Sequence, residues 1–232
     1  MPMPQTVSVL IPTYNEERSV EAVIRQLLAT PSELQREIVV VDDGSRDATG
    51  AILQRLQGEL PIRIVTHPAS RGKGQAIRTG LEHCRGDVIL IHDADLEYDP
   101  KDHPALLALF ESDPAVQVVY GSRFVARPWH AGWHRFVNWV ITALINVLYG
   151  SRLTDAETCY KVFRADVAGR MALRAVGFEF EVEFTCKLLR LGYTIREVPV
   201  GYTRRTYAEG KKITWKDGIH ALWCIVRYRL GD

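Results

Sequence analysis

The stretch LIHDADLEYDP, residues 90–100, sets four carboxylates, Asp93, Asp95, Glu97 and Asp99, on alternate positions directly behind an apolar run. Clustered like charges raise one another's pKa unless a cation neutralises them. Hard divalent cations such as Mg²⁺ and Mn²⁺ favour oxygen ligands, commonly one or two carboxylates completed by substrate phosphates. In an extended segment Asp95 and Glu97 share one side and can reach a single ion. The competing reading is an acidic surface turn that caps a helix at Pro100.

A second acidic pair, Asp42 and Asp43, closes the run IVVVDDGSRDAT. One carboxylate there can accept hydrogen bonds from a ribose or a base edge, while Ser45 or Asp47 reads as a helix cap. The stretch ASRGKGQAIRTGL adds Arg71, Gly72, Lys73 and Gly74. Its GxG lacks the third glycine of a dinucleotide fingerprint and follows no clear strand-to-helix turn. No Walker A pattern is present either, so nicotinamide chemistry and ATP hydrolysis are set aside.

These groups need a scaffold. The runs Val7–Ile11, Ile38–Val41, Ile62–Val65 and Val88–Ile91 are short, apolar and rich in β-branched residues, with helix-like segments such as Val20–Leu28 and Thr49–Leu56 between them. Strands alternating with helices predict an α/β fold with a Rossmann-like, mostly parallel sheet flanked by helices. Near-continuous apolar strands fit a sheet covered on both faces. Such sheets bind ligands beyond the carboxyl ends of their strands, where PTYNE, DDGSRD and HDADLE all fall. The 232 residues, 47% hydrophobic and 25% charged, fit a soluble globular protein with a sizeable core. Four cysteines without CxxC or zinc spacing read as reduced thiols of a cytoplasmic protein, and the first residues carry no signal-peptide pattern.

Charge is asymmetric. Residues 1–119 hold 11 Lys+Arg against 18 Asp+Glu, and residues 120–232 hold 18 against 10. The acidic half suits a metal ion and the basic half an anionic partner or surface; the plain alternative is two solvated faces that happen to differ. Phe136–Tyr149 is strongly apolar, with Asn138, Thr142 and Asn146 four apart, but is shorter than the roughly 20 residues a bilayer span needs. Ile213–Leu230 predicts an amphipathic C-terminal helix with Trp215, Ile219, Leu222, Trp223, Val226 and Leu230 on one stripe. That stripe is by default a packed core face. The nearby Lys211, Lys212, Lys216, Arg227 and Arg229, with Trp215, Trp223 and Tyr228, equally suit peripheral attachment to a membrane surface.

Taken in order, VSVLIPTYNEE, IVVVDDGSRDAT, RGKGQAIRTG, VILIHDADLEYDP and YGSRF resemble the family 2 glycosyltransferases of GT-A fold, nearest to the dolichyl-phosphate mannose synthase group of polyprenyl-phosphate glycosyltransferases. LTDAETCYKVFRADV, GFEFEVEFTCKLLRLGYTIREVPVGYTRR and EGKKI resemble that group's acceptor side. The resemblance implies one GT-A domain over residues 1–232, with a donor half (1–119) and an acceptor half (120–232). It implies that Pro12, Tyr14, Glu16, Asp42 and Lys73 hold the nucleotide. Asp93 and Asp95 form the DxD motif, and Asp95 with Glu97 ligates Mg²⁺ or Mn²⁺ on the donor diphosphate. Arg123 faces the phosphates, and Arg205 with Lys211 or Lys212 clamps a phosphate of acceptor or donor. Two departures are visible: Glu97 stands where the group often has Gln, and Cys159-Tyr160-Lys161 where it often has Gly-Phe before a basic residue.

The implied reaction is inverting transfer of a sugar from a nucleotide diphosphate donor to a polyprenyl phosphate. The metal, Arg123 and a lysine would stabilise the departing diphosphate. An acceptor phosphate is already ionised near neutral pH and needs no base; its clamp must be cationic. A soluble transferase acting on a hydroxyl acceptor needs a base within reach, for which Asp155, Glu181 and Glu183 are candidates. Their plain readings are a loop cap for Asp155 and solvent-facing positions on FEFEVEF for the two glutamates. A nucleotidyltransferase and a nucleotide-sugar-binding protein without turnover are weaker readings, and nothing points to nucleic acid. The sugar, the base and the oligomeric state are not legible.

Overall fold

The structure, a computed structural model, describes residues 2–125, 133–205 and 215–231. The element order is β1 (Thr6–Thr13), α1 (Val20–Ala29), β2 (Gln35–Asp42), α2 (Thr49–Glu59), β3 (Ile62–Thr66), α3 (Lys73–Leu81) and β4 (Val88–Ile91). It continues through a 3₁₀ turn (Pro100–Asp102), α4 (His103–Ser112), β5 (Val118–Ser122), α5 (Trp133–Tyr149), β6 (Lys161–Arg164) and the short α6 (Ala165–Gly169). The last elements are α7 (Phe180–Arg190), β7 (Ile195–Pro199) and α8 (Trp215–Leu230).

The strands form one seven-stranded sheet in the order β3-β2-β1-β4-β6-β5-β7. β1, β2, β3 and β4 pair in parallel, as the alternating pattern predicts. The acceptor half extends the same sheet: β6 runs antiparallel to both β4 and β5, and β7 pairs in parallel with β5. Val7, Val9, Leu10 and Ile11 of β1 are fully buried, as a strand covered on both faces requires. α3 lies tight on this sheet because Gly80 has no side chain; a Cβ there would sit 2.1 Å from Leu10 Cδ1.

A smaller core joins α5, α7 and α8 through Ile141, Ile145, Val182, Cys186, Cys224, Ile225 and Tyr228. This corrects the reading of the C-terminal stripe as a core face in part: Leu222 packs against this core, but its exposed neighbours on the stripe do not. The face of α8 that packs is Ala221, Cys224, Ile225 and Tyr228, whereas Trp223, Val226 and Leu230 point outward, 53%, 46% and 84% exposed. The side chains of Trp215 and Ile219 lie outside the described ones. Among the described residues no helix is long and apolar enough to cross a membrane. All four cysteines are free thiols.

The Asn138, Thr142, Asn146 row of α5 faces inward and orders the loop before β6. Asn138 donates to Asp155 Oδ1, Thr142 Oγ1 accepts from the Ala156 amide, and Asn146 both donates to the Leu153 carbonyl and accepts from the Leu153 amide.

Candidate active site

Parallel pairing places the carboxyl ends of β2, β1 and β4 side by side, so three loops open onto one crevice. At the end of β1, Pro12 is buried within the strand and pairs across to Val41; beyond it Tyr14 is half-buried and Glu16 is buried. After β2 the two aspartates divide their roles. Asp43 receives Ser70 Oγ and the Arg71 and Gly72 amides, and contacts His67 Nδ1 at 2.6 Å. It organises the loop rather than addressing a ligand. Asp42, also buried, accepts from the Ser45 amide through Oδ1 at 3.0 Å. Neither Ser45 nor Asp47 is the cap of α2, whose N-cap position is Ala48: Asp47 accepts the Thr49 amide in a local turn just before the helix, and Ser45 receives the Asn15 amide and ties the first two loops together.

The RGKG segment does connect a strand to a helix, contrary to the sequence reading: it leads from β3 into α3, which begins at Lys73. Gly72 sits at φ +94°, and a Cβ there would lie 2.2 Å from the Val176 carbonyl oxygen, so no other residue fits. This seats Lys73 beneath the crevice, its ammonium 2.9 Å from Asp93 Oδ2 and 3.0 Å from Glu181 Oε1. Burial alone would depress the Lys73 pKa, but Asp93 and Glu181 hold it well above the ordinary value. Burial likewise opposes ionisation of Asp93, and Lys73 outweighs it, leaving that carboxyl below its ordinary range.

The DxD segment is a turn, not the extended run expected, with Leu96 in the left-handed region at φ +61°. Asp95 Oδ1 accepts the Glu97 amide at 3.0 Å across that turn. Asp99 has the capping role read as the alternative, receiving the Lys101 amide. Asp95 and Glu97 nevertheless meet one residue, Arg205: its guanidinium Nη2 lies 3.0 Å from Asp95 Oδ2, while its backbone amide donates to Glu97 Oε1 at 2.9 Å. The same guanidinium pairs with Glu16 at 3.0 and 3.2 Å. Burial, then the neighbouring Asp93 and Glu97, push the Asp95 carboxyl up to about 7 even with Arg205 present. The like charge of Asp93 and Glu97 at that buried carboxyl is what a divalent cation would relieve. Among the described residues no group of three or more metal-capable side chains converges on one point. The donor set therefore fits an ion held by one or two carboxylates and completed by substrate phosphates, not an all-protein cage.

On the acceptor side Arg123, at the end of β5, forks onto Asp155 through Nε at 2.6 Å and Nη2 at 2.7 Å. Its guanidinium lies over the Tyr202 ring at 5.1 Å. The three candidate bases are all engaged. Asp155 holds Arg123 and Asn138. Glu181 pairs with Lys73 and with the fully buried Lys161. Glu183 receives the Arg174 and Ala175 amides and pairs with Lys187 at 3.0 Å. Both glutamates are buried on α7, correcting the solvent-facing alternation: FEFEVEF starts a helix docked on the sheet, so each charge needed a buried partner. Lys211 and Lys212 lie outside the described residues.

Sequence reasoning missed two residues. Tyr202 donates to Glu97 Oε2 at 2.9 Å, and nothing in its local pattern signals that. Glu157, inside DAETCYKVF, has a buried Oε1 with no hydrogen-bond partner among the described residues. Burial and then Glu181 raise its carboxyl to about 7.

An α/β sheet with acidic residues at its carboxyl edge, a DxD turn and buried lysine and arginine beside it defines a nucleotide-sugar transferase of GT-A architecture. The comparisons agree. Residues 8–171 match the family model Glycosyl transferase family 2, and the chain belongs to that family. It is 32% identical to the undecaprenyl-phosphate mannosyltransferase of Micrococcus luteus, over 97% of this chain and 99% of the relative. It is 29% identical to the dolichol-phosphate mannosyltransferase of Pyrococcus furiosus over 88% of this chain, which corresponds to 58% of that longer protein. Among solved structures, glucosyl-3-phosphoglycerate synthase of Mycobacterium tuberculosis, in complex with Mn²⁺, UDP and phosphoglyceric acid, superimposes with a TM-score of 0.77. That match covers 98% of this chain and 80% of the synthase at 21% identity, a likeness of fold.

Proposed function

We propose that this glycosyltransferase moves a sugar from a nucleotide diphosphate donor to a polyprenyl phosphate, with inversion, as one catalytic unit spanning both halves of the sheet. The observation that carries the acceptor class is the state of Asp155, Glu181 and Glu183. Each is spent on buried cations or amides, so none of the three is disposed to take a proton from a hydroxyl. A phosphate acceptor brings its own anionic oxygen and needs no base. The two mannosyltransferase relatives, whose names carry polyprenyl phosphates, support the same reading.

In this reading Pro12, Tyr14, Glu16 and Asp42 line the nucleotide pocket, and Lys73 aligns Asp93 at its base. Asp95 and Glu97 would hold Mg²⁺ or Mn²⁺, which when bound neutralises the donor diphosphate. Arg123, fixed by Asp155, contributes positive charge at the crevice wall, and Arg205, Lys211 and Lys212 meet phosphate from the acceptor side. Charge that Arg123 supplies from a fixed position costs no reorganisation as the diphosphate departs.

One observation favours a second reading. Glu157, its carboxyl raised to about 7, is tuned as a base for a hydroxyl acceptor would be. The two readings separate in a single assay with labelled nucleotide sugars, polyprenyl phosphate and water-soluble hydroxyl acceptors. Product in the organic phase and an active Glu157→Gln variant are expected. Product only on hydroxyl acceptors, with Glu157→Gln slowed by about 10²–10⁴, would install the alternative.

A membrane-borne acceptor also accounts for the apolar side chains that α5 and α8 leave outside: Phe136, Trp139 and Val147 on one, Trp223, Val226 and Leu230 on the other. Arg227 lies over the Trp223 ring at 5.0 Å, a pairing suited to a headgroup boundary. The chain is expected to sediment with vesicles containing an anionic phospholipid at low salt and to be released at high salt, each basic side chain near the surface contributing about 1 kcal/mol. Retention in the supernatant at low salt would exclude peripheral attachment.

A further inference from the structure

We infer that Arg205 is a resident cation that holds the carboxylates of the metal site in the donor-free enzyme, and that the metal–nucleotide pair must take its place. The inference rests on the reading of Asp95 and Glu97 as the metal-binding carboxylates. What it adds is that the segment Tyr202–Arg205 already occupies them.

The segment is fastened at four levels. The Thr203 amide donates to the Glu97 carbonyl at 2.8 Å. Tyr202 Oη donates to Glu97 Oε2 and the Arg205 amide to Glu97 Oε1, each at 2.9 Å, so both Glu97 oxygens are taken. The Arg205 guanidinium then spans Asp95 Oδ2 and both oxygens of Glu16, while the other Asp95 oxygen receives the Glu97 amide. An ion approaching Asp95 and Glu97 must therefore displace charge-assisted hydrogen bonds and set its own positive charge against the Arg205 guanidinium, which Glu16 still holds beside the site.

That exchange has a direction. A bare divalent ion gains the carboxylates but takes Asp95 from Arg205 and brings like charge up to it, so its binding is opposed. A nucleotide diphosphate arriving with the ion supplies phosphate oxygens, for which a guanidinium fork is well matched. Arg205 then moves from carboxylate to phosphate, and metal and nucleotide bind cooperatively. Glu16 links the exchange to the nucleotide end of the crevice, since it shares the Arg205 guanidinium with Asp95. Thermodynamic reciprocity requires the nucleotide to tighten the metal by the same factor as the metal tightens the nucleotide.

The test is Mn²⁺ binding, read from the free-ion paramagnetic resonance signal, with Mn²⁺ alone and with UDP or GDP. Wild type is expected to hold Mn²⁺ weakly alone and at least about tenfold more tightly with the cognate nucleotide, a coupling within the usual 5–150-fold range. Arg205→Gln should bind Mn²⁺ alone about tenfold more tightly than wild type and lose most of the nucleotide-dependent gain. Arg205→Lys, which keeps the charge but cannot fork across Glu16 and Asp95, should fall between, and it carries the test if the Gln variant fails to fold. Variants that bind Mn²⁺ alone no more tightly than wild type would overturn the exchange while leaving the metal site intact. Absence of Mn²⁺ binding to wild type even with nucleotide would remove the metal reading and the exchange with it.

Discussion

Asp95→Asn is expected to reduce turnover by about 10²–10³, because it loosens the cation that would stabilise the departing diphosphate. The fold should survive. The Asn carbonyl can keep the Glu97 amide bond that closes the turn, and the loss of one charge relieves the burial penalty and the repulsion from Asp93 and Glu97 that together lift the Asp95 pKa. The substituted amide instead presents N–H groups to the Arg205 guanidinium, donor against donor, and offers a metal no charge. Steady-state transfer should therefore collapse while thermal unfolding shifts little, and excess chelator should abolish wild-type transfer until Mn²⁺ or Mg²⁺ is restored. A variant within a few-fold of wild type, or a wild type indifferent to chelator, would remove Asp95 from the metal site.

Glu181→Ala is expected to produce the largest change in stability. Its carboxylate lies between two cations: Lys161, fully buried, and Lys73, 3.0 Å from Oε1. Lys161 also donates to the Ala156 and Thr158 carbonyls, so its ammonium has neutral partners but Glu181 is its anion. Removing one member of a buried ion pair costs about 3–5 kcal/mol, because the other charge stays desolvated and unpaired. For a chain of this size that corresponds to a drop in Tm on the order of 10 °C in calorimetry. The double variant Lys161→Met, Glu181→Leu should recover much of the loss, since replacing a buried pair by apolar groups is often close to neutral. If Glu181→Ala melts within about 2 °C of wild type, the lysines are satisfied by their other partners and Glu181 is free for another role.

The two cases differ in how they could be read from the chain alone. Asp95 follows a strand whose apolar run is unmistakable, and the rule that parallel sheets bind at their carboxyl edge locates it without coordinates. Glu181 stands in FEFEVEF, where alternation of polar and apolar residues suggests a strand with a wet face. The segment folds as a helix because it docks between the sheet and α8, and a short apolar-polar run cannot by itself distinguish the two. Its glutamates are buried only because Lys73 and Lys161 arrive from distant parts of the chain. The stripe of α8 misled for a related reason. Its periodicity established that one face is apolar, but which face finds a partner depended on where α5 and α7 lay.

The sequence by itself determined the parallel half of the sheet, the order of the three crevice loops and the carboxylates they carry, because strand patterning and short motifs are local properties. The tertiary structure decided everything that depends on pairing across long separations. It joined the acceptor half to the sheet through the antiparallel β6 and gave Asp43 to the loop before α3. It also spent Asp155, Glu181 and Glu183 on buried cations and laid Arg205 across Glu16 and Asp95. A buried charge must find its counter-charge wherever the fold brings one, and no local pattern records that partner.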